Sequence, residues 1–208
     1  MNSIGLFPLG VVLFPESSIQ LHIFEDRYKN LINDCMNNNI VFGVNLTISS
    51  KIQNVGCTAR VTKLLHKYPD GSMDIIVKGI SRYHLIDYKR GIRQYLTGDI
   101  QYDEDNREYP KSDLLNGCIE IYNMIADEVK SMKIDKIDTN QLFTKTPSYF
   151  IAQKAGLTSE QKYKLLESDS ENDRLKYLLD HLKRIEPVLR ESEYINQIIK
   201  YDGYLKEF

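Results

Sequence analysis

The amino-acid sequence predicts an α+β protein in which a small β domain, residues 1–105, precedes a helical one, residues 106–208. Three observations carry that prediction. Apolar and polar residues alternate through the first half, which is the strand period. From Ser112 onward apolar residues recur at helical spacing instead. Between the two regimes lies "DEDNREYPKS", a polar stretch with Pro110 that marks the junction.

In the β half, Ile19, Leu21 and Ile23 alternate with Ser18, Gln20 and His22. Ile40, Phe42, Val44, Leu46 and Ile48 do the same, as do Cys57, Ala59 and Val61 against Thr58, Arg60 and Thr62. Each run reads as a strand with one buried face. Tyr68-Pro69-Asp70-Gly71 separates two such runs. Proline suits the first corner of a turn and Gly71 a positive φ, so a hairpin is expected there. A last strand is expected from Tyr95 to Tyr102.

One helix interrupts this series. Tyr28, Leu31, Ile32, Cys35 and Met36 form a single apolar stripe. Glu25 and Asp26 stand at its start, where the helix dipole favours acids, and Asn37-Asn38-Asn39 ends it. The opening "LFPLGVVLFP" contains two Phe-Pro steps. Proline cannot donate to a strand ladder. Pro8 is therefore expected just before a turn at Gly10, and Pro15 just after a short strand Val11–Phe14. Short strands meeting at sharp corners suit a small closed or half-closed barrel.

In the helical half, Leu115, Ile119, Tyr122, Ile125, Ala126 and Val129 line one helix. Thr146-Pro147 reads as a cap followed by proline at the first helical position, with Gly156 as the stop. Thr158 and Gln161 have capping-box spacing for the next helix. Leu175, Leu178, Leu179, Leu182 and Ile185 stripe the last, which Pro187 should end or kink by removing one ladder bond.

The chain has 208 residues, 42% of them hydrophobic and 27% charged, with a formal net charge of −2. That near-neutral balance argues against a dedicated nucleic-acid binder. No run approaches the roughly 18 apolar residues of a membrane span, and the start lacks the basic region of a signal peptide. Cys35, Cys57 and Cys118 are odd in number and contain no CxxC, as expected of reduced thiols in a cytoplasmic protein. His22, His66, His84 and His181 are scattered, without HExxH or a cysteine at ligand spacing. No metal site and no cofactor are expected. The acidic patch Asp103-Glu104-Asp105 reads as a solvated junction.

The stretch "LFPLGVVLFPESSIQLHIFEDRY", residues 6–28, resembles the opening of the LON substrate-binding domain, the N-terminal module of Lon-type ATP-dependent proteases. Pro8, Gly10, Pro15, Glu25 and Arg27 fall on the family pattern, together with Phe7, Leu13, Phe14, Phe24 and Tyr28. Glu16 departs from it, standing where the family commonly has glycine. Further matches are Phe42-Gly43-Val44, Val55 to Val61, Asp70-Gly71, Gly79-Ile80-Ser81-Arg82-Tyr83, and Gln161 to Glu167 followed by Arg174-Leu175. The resemblance implies a PUA-like β pseudobarrel with one inserted helix, followed by a C-terminal helical bundle. It implies a standalone substrate-handling module rather than a protease. The sequence lacks GxxxxGK(S/T), the loop whose amides would cradle nucleotide phosphates, and a serine–lysine protease unit has no room in 208 residues.

The function expected is therefore non-enzymatic: binding of unfolded or peptide segments of other proteins, as an adaptor or holdase, with a separate protease as recipient. Fourteen tyrosines and seven phenylalanines, with no tryptophan, supply candidate contacts. The peptide-binding candidates are Phe14, Tyr28, Phe143, Tyr149 and Phe150, the last three suited to wall a cleft between the two halves. Glu25 and Arg27 read as a helix cap and an ion pair, or alternatively as a polar anchor for peptide. The alternative function is RNA binding by a PUA-like module. It would use Lys89, Arg90 and Arg93 between Tyr88 and Tyr95, the only basic and aromatic cluster in the β half.

Overall fold

The structure, a computed structural model, describes residues 2–90, 94–103, 108–130, 133–142, 144 and 146–201. It contains six strands and five helices among those residues: β1 (Asn2–Leu9), β2 (Ser18–Ile23), α1 (Asp26–Asn38), β3 (Phe42–Ile48), β4 (Lys51–Lys67), β5 (Met73–Arg90), β6 (Leu96–Tyr102), α2 (Ser112–Glu128), α3 (Pro147–Lys154), α4 (Ser159–Glu167) and α5 (Glu171–Tyr201). A short 3-10 turn, Thr139–Leu142, precedes α3. The chain forms two compact units, one of Met1–Asp105 with Leu157–Asp169, the other of Asn106–Gly156 with Ser170–Phe208. α4 thus returns to the first unit, a crossing that no local pattern in the sequence announces.

In the first unit the strand order is β2-β5-β4-β3-β1-β6, and β6 also pairs with β5. Strand pairing therefore closes into a ring of β5, β4, β3, β1 and β6, with β2 attached outside on β5. β5 manages three partners because it is long: Met73–Lys78 faces β2, while Tyr83–Arg90 faces β6. β1 runs parallel to β3 and antiparallel to β6. Leu6, Tyr83, Leu85 and Ile100 pack as one small core. A larger one joins the sheet to α1 through residues such as Phe7, Leu31, Ile32, Phe42 and Ile75.

Most local signals form as expected. Gly71 has φ 81°, and the turn closes through the Ser72 carbonyl accepting from the Tyr68 amide at 2.8 Å. Asn39 ends α1 in the left-handed region. Thr158 and Gln161 form both bonds of the capping box. Pro147 opens α3, and Gly156, at φ 67°, follows its end.

Several expectations are corrected. Pro8 stands just before the bend at Gly10 as expected, but within β1 rather than between strands; β6 pairs with β1 only as far as Leu6, so Pro8 has a strand partner on one side alone. Residues 11–14 form no strand, because the backbone of Phe14 is used in a turn. The Phe14 amide donates to Ser17 Oγ at 3.1 Å, and that hydroxyl donates back to the Phe14 carbonyl at 2.7 Å. The Ser17 amide closes the turn onto the same carbonyl. Pro15 is the first corner and Glu16, at φ 63°, the second, which is the type II pattern that favours glycine at 16. β3 is buried on both faces, not one, since Gly43 and Asn45 are enclosed as well as Phe42 and Val44. Met36 is exposed, so the α1 stripe ends at Cys35. Pro187 does not end α5, which continues to Tyr201. Beyond Pro187, Arg190 still reaches α2 through two 3.0 Å bonds to Glu128.

The Gly79–Tyr83 segment explains much of the first unit's closure. Opposite Cys57–Ala59, two steps on β4, β5 takes three from Gly79 to Arg82, so it carries a bulge. Thr58 Oγ1 occupies it, accepting from the Ser81 amide and donating to the Ser81 carbonyl, each at 3.2 Å. Tyr83 is fully buried, and its hydroxyl donates to Asn45, whose amide donates to the Gln53 carbonyl at 3.0 Å. A methyl at Gly56 would lie 2.6 Å from that hydroxyl, so the close approach requires glycine.

In the second unit α5 packs against α2 and α3. Arg174, Glu171 and Ser148 form a fully enclosed polar cluster. Ser148 donates to Glu171 through its amide (2.8 Å) and hydroxyl (2.6 Å), and Arg174 pairs with Glu171 at 2.8 Å while lying over the Tyr149 ring. Glu108 holds the start of α5, accepting from Ser170 Oγ at 2.5 Å and from Asn172 Nδ2 at 2.8 Å. Those bonds, with Ser170 first, hold its carboxyl down at about 2. A carboxylate with a depressed folded pKa stabilises above its unfolded pKa and loses that contribution as pH falls through the folded value. Thermal melts of the wild type and Glu108→Gln are therefore expected to differ at pH 6 and to converge between about pH 4.5 and pH 2. A constant gap across that range would show that the carboxylate's charge is immaterial.

Candidate functional site

The second unit carries an open groove of about 610 Å3 between α2, the end of α3 and α5. Its floor follows from helical periodicity. Tyr122 and Ile125 are one turn apart on α2, and Leu182 and Ile185 one turn apart on α5, so both pairs face the same hollow. Val188, 64% exposed, extends the apolar surface along α5, and Ile134 contributes from the α2–α3 connection. Gly156 leaves the end of α3 without a side chain over it. Its size is that of an ordinary ligand pocket.

Lys154 and Arg184 supply the charge of the groove. Arg184 Nη2 lies 3.3 Å from His181 Nδ1, and His181 Nε2 lies 2.9 Å from the Ala155 carbonyl. A carbonyl and a guanidinium on either side assign the tautomer: Nε2–H donates to Ala155 and Nδ1 accepts from Arg184.

The candidates taken from the sequence do not assemble here. Phe14 is 1% exposed, Tyr149 2% and Tyr28 8%; rings so enclosed present no surface to a peptide and belong to the core. Tyr28 meets Phe7 edge-on with centroids 4.1 Å apart. Phe150 is half-buried beneath Lys154 Nζ, 5.5 Å from its centroid. Phe143 lies outside the described residues. Glu25 occupies the N-cap position of α1 but makes no side-chain cap bond; it accepts instead from Arg27 Nε at 2.9 Å. Arg27 also lies over Tyr28. In the basic cluster, Tyr95 is buried with its hydroxyl donating to Asp34 at 2.7 Å, so it offers no stacking face. Arg93, like Glu104 and Asp105, lies outside the described residues, while Asp103 accepts from or pairs with His84 at 2.6 Å.

The cysteines are buried, and burial pushes each thiol up to about 12, which keeps the nucleophilic thiolate negligible near neutral pH. Among the described residues no group of three or more His, Cys, Asp or Glu could hold a metal ion, and no helix is long and apolar enough to cross a membrane. Sequence reasoning read Tyr122 and Ile125 as part of the apolar line of one helix, and Leu182 and Ile185 as part of the stripe of another. The signal it passed over is that the α5 stripe runs on as Val188 and Leu189 beyond Pro187.

The hollow is thus apolar along its floor, with Lys154 and Arg184 at its edge. The chain belongs to the family of the ATP-dependent protease La (LON) substrate-binding domain, whose model matches residues 3–184. Lon protease 1 of Hydrogenovibrio crunogenus is 26% identical over 207 residues, covering 91% of this chain and 24% of that protein. Lon protease 1 of Bacillus subtilis is 22% identical, covering 96% and 27%. The chain thus spans about a quarter of the length of these relatives. The fold is similar to the Lon N-terminal domain protein from Xanthomonas campestris, with TM-score 0.63, 23% identity and coverage of 86% of this chain and 98% of that one. It is also similar to the N-terminal domain of Mycobacterium avium complex Lon protease, with TM-score 0.67, 15% identity and coverage of 88% and 98%.

Proposed function

We propose that this protein is a non-catalytic recognition module of the cytoplasm. It grips exposed apolar or extended segments of other polypeptides in the groove of α2, α3 and α5, as an adaptor or holdase that passes clients to a separate protease. On this reading the ring of strands is a PUA-like pseudobarrel and the second unit a helical bundle. The observation that carries the reading is a substrate-binding family match over residues 3–184, in a chain whose second unit leaves about 610 Å3 of apolar hollow open.

An array of unstructured peptides tests it. Apolar members are expected to bind at tens of micromolar or tighter, without being cleaved. Val188→Asp, at an exposed position, should weaken them about tenfold while leaving the melt unchanged, since it removes an apolar contact and buries a charge. No binding across the array, or binding indifferent to that substitution, would count against the groove.

A further inference from the structure

We infer, resting on the groove reading above, that the segment bound there carries acidic side chains beside its apolar residues. Among the described residues the groove is lined by no Asp or Glu, and the two charged ones that line it, Lys154 and Arg184, are both cationic. Neither has a carboxylate partner among the described residues. Lys154 Nζ lies over the Phe150 ring, and Arg184 meets only the neutral acceptor His181 Nδ1. Three other cations of this unit do have carboxylate partners, Arg174 with Glu171, Arg190 with Glu128 and Glu186, and Lys136 with Asp127, while lysines such as Lys176 and Lys183 lie outside the groove lining. Asp135, whose charge reaches the Tyr122 hydroxyl, does not line the groove.

The anchoring of Arg184 makes the omission informative. His181 is buried, and its bond to the Ala155 carbonyl fixes the ring, so its Nδ1 lone pair holds the guanidinium at the groove without cancelling its charge. Two uncompensated cations beside an apolar floor complement a segment in which acids flank apolar residues. A carboxylate approaching Arg184 gains a charge-assisted bond that His181 does not provide.

The test uses three peptides with one apolar core, flanked by Asp, Asn or Lys, each acetylated, amidated and tagged with a neutral dye. All charge then comes from side chains. The Asp peptide is expected to bind the full chain about three- to tenfold more tightly than the Asn peptide, and the Lys peptide more weakly still, as two exposed charges allow. The order should flatten in half-molar salt and invert in Lys154→Glu/Arg184→Glu. Lys154→Gln/Arg184→Gln serves as the second variant and should bind all three alike. Equal binding of the three by the wild type overturns the inference and leaves the groove reading standing. A preference for Asp that survives both double variants also overturns it. No binding of any peptide overturns both.

Discussion

Replacing Gly79 with alanine should destabilise the first unit by about 3–5 kcal/mol, a fall in melting temperature of roughly 6–20 °C. A methyl at 79 would collide with the carbonyl oxygen of Phe14 and stand 3.0 Å from its carbon. The obstacle is backbone, so no rotamer relieves it. Two bonds depend on the contact: the Glu16 amide donates to the Gly79 carbonyl at 3.0 Å, and the Gly79 amide to the Ser17 carbonyl at 2.9 Å. Losing both costs about 2 kcal/mol, and the forced displacement of the turn adds overpacking of about 1–3. Phe14, 1% exposed beneath that turn, would be the first core ring loosened. Far-ultraviolet melts and urea titrations measure the effect. A melt within a degree or two of wild type would show that the Phe-Pro turn does not dock on β5.

Arg82→Met should cost about 3–5 kcal/mol and release α4 selectively. The guanidinium is 3% exposed and donates to the Leu166 carbonyl at 3.0 Å, the Ser168 carbonyl at 2.6 Å and Asp169 at 2.5 Å, with Asp103 3.6 Å from Nε. It therefore satisfies the C-terminal carbonyls of α4, the groups a helix end leaves without internal partners. Methionine keeps the volume and removes every donor. Arg82→Lys should recover little, because a single ammonium cannot span acceptors that a planar fork reaches together. Hydrogen exchange resolves the claim: amides of residues 159–167 should lose protection before those of β3 and β4. Uniform loss across the unit, or full rescue by lysine, would refute the staple.

The two substitutions touch neighbouring residues of one motif, Gly79-Ile80-Ser81-Arg82-Tyr83, and they show what a sequence pattern conceals. The motif is recognisable in the sequence as a family mark, but four of its five residues each answer to a different distant partner, while Ile80 is exposed. Gly79 receives a turn, Ser81 the Thr58 hydroxyl, Arg82 the end of α4, and Tyr83 the Asn45 side chain. None of those partners lies within ten residues, so no periodicity could have named them. The site was less legible still. Aromatic rings at Phe14, Tyr28 and Tyr149 looked like contacts because composition cannot distinguish a ring on the surface from one in the core.

By itself the sequence determined where most strands and helices and several turns and caps fall, though not β1 or the turn that replaces a strand at residues 11–14. Alternation, heptad-like spacing, Thr158 with Gln161, and Asp70-Gly71 are effects of residues a few positions apart, acting through local backbone geometry. Only the tertiary structure decided that β1 sits between β3 and β6, that pairing closes from β6 to β5, and that α4 joins the first unit. It alone decided that α2 and α5 leave an apolar hollow open. Those outcomes depend on which buried face meets which, and an apolar period reports that a face is to be buried without saying against what.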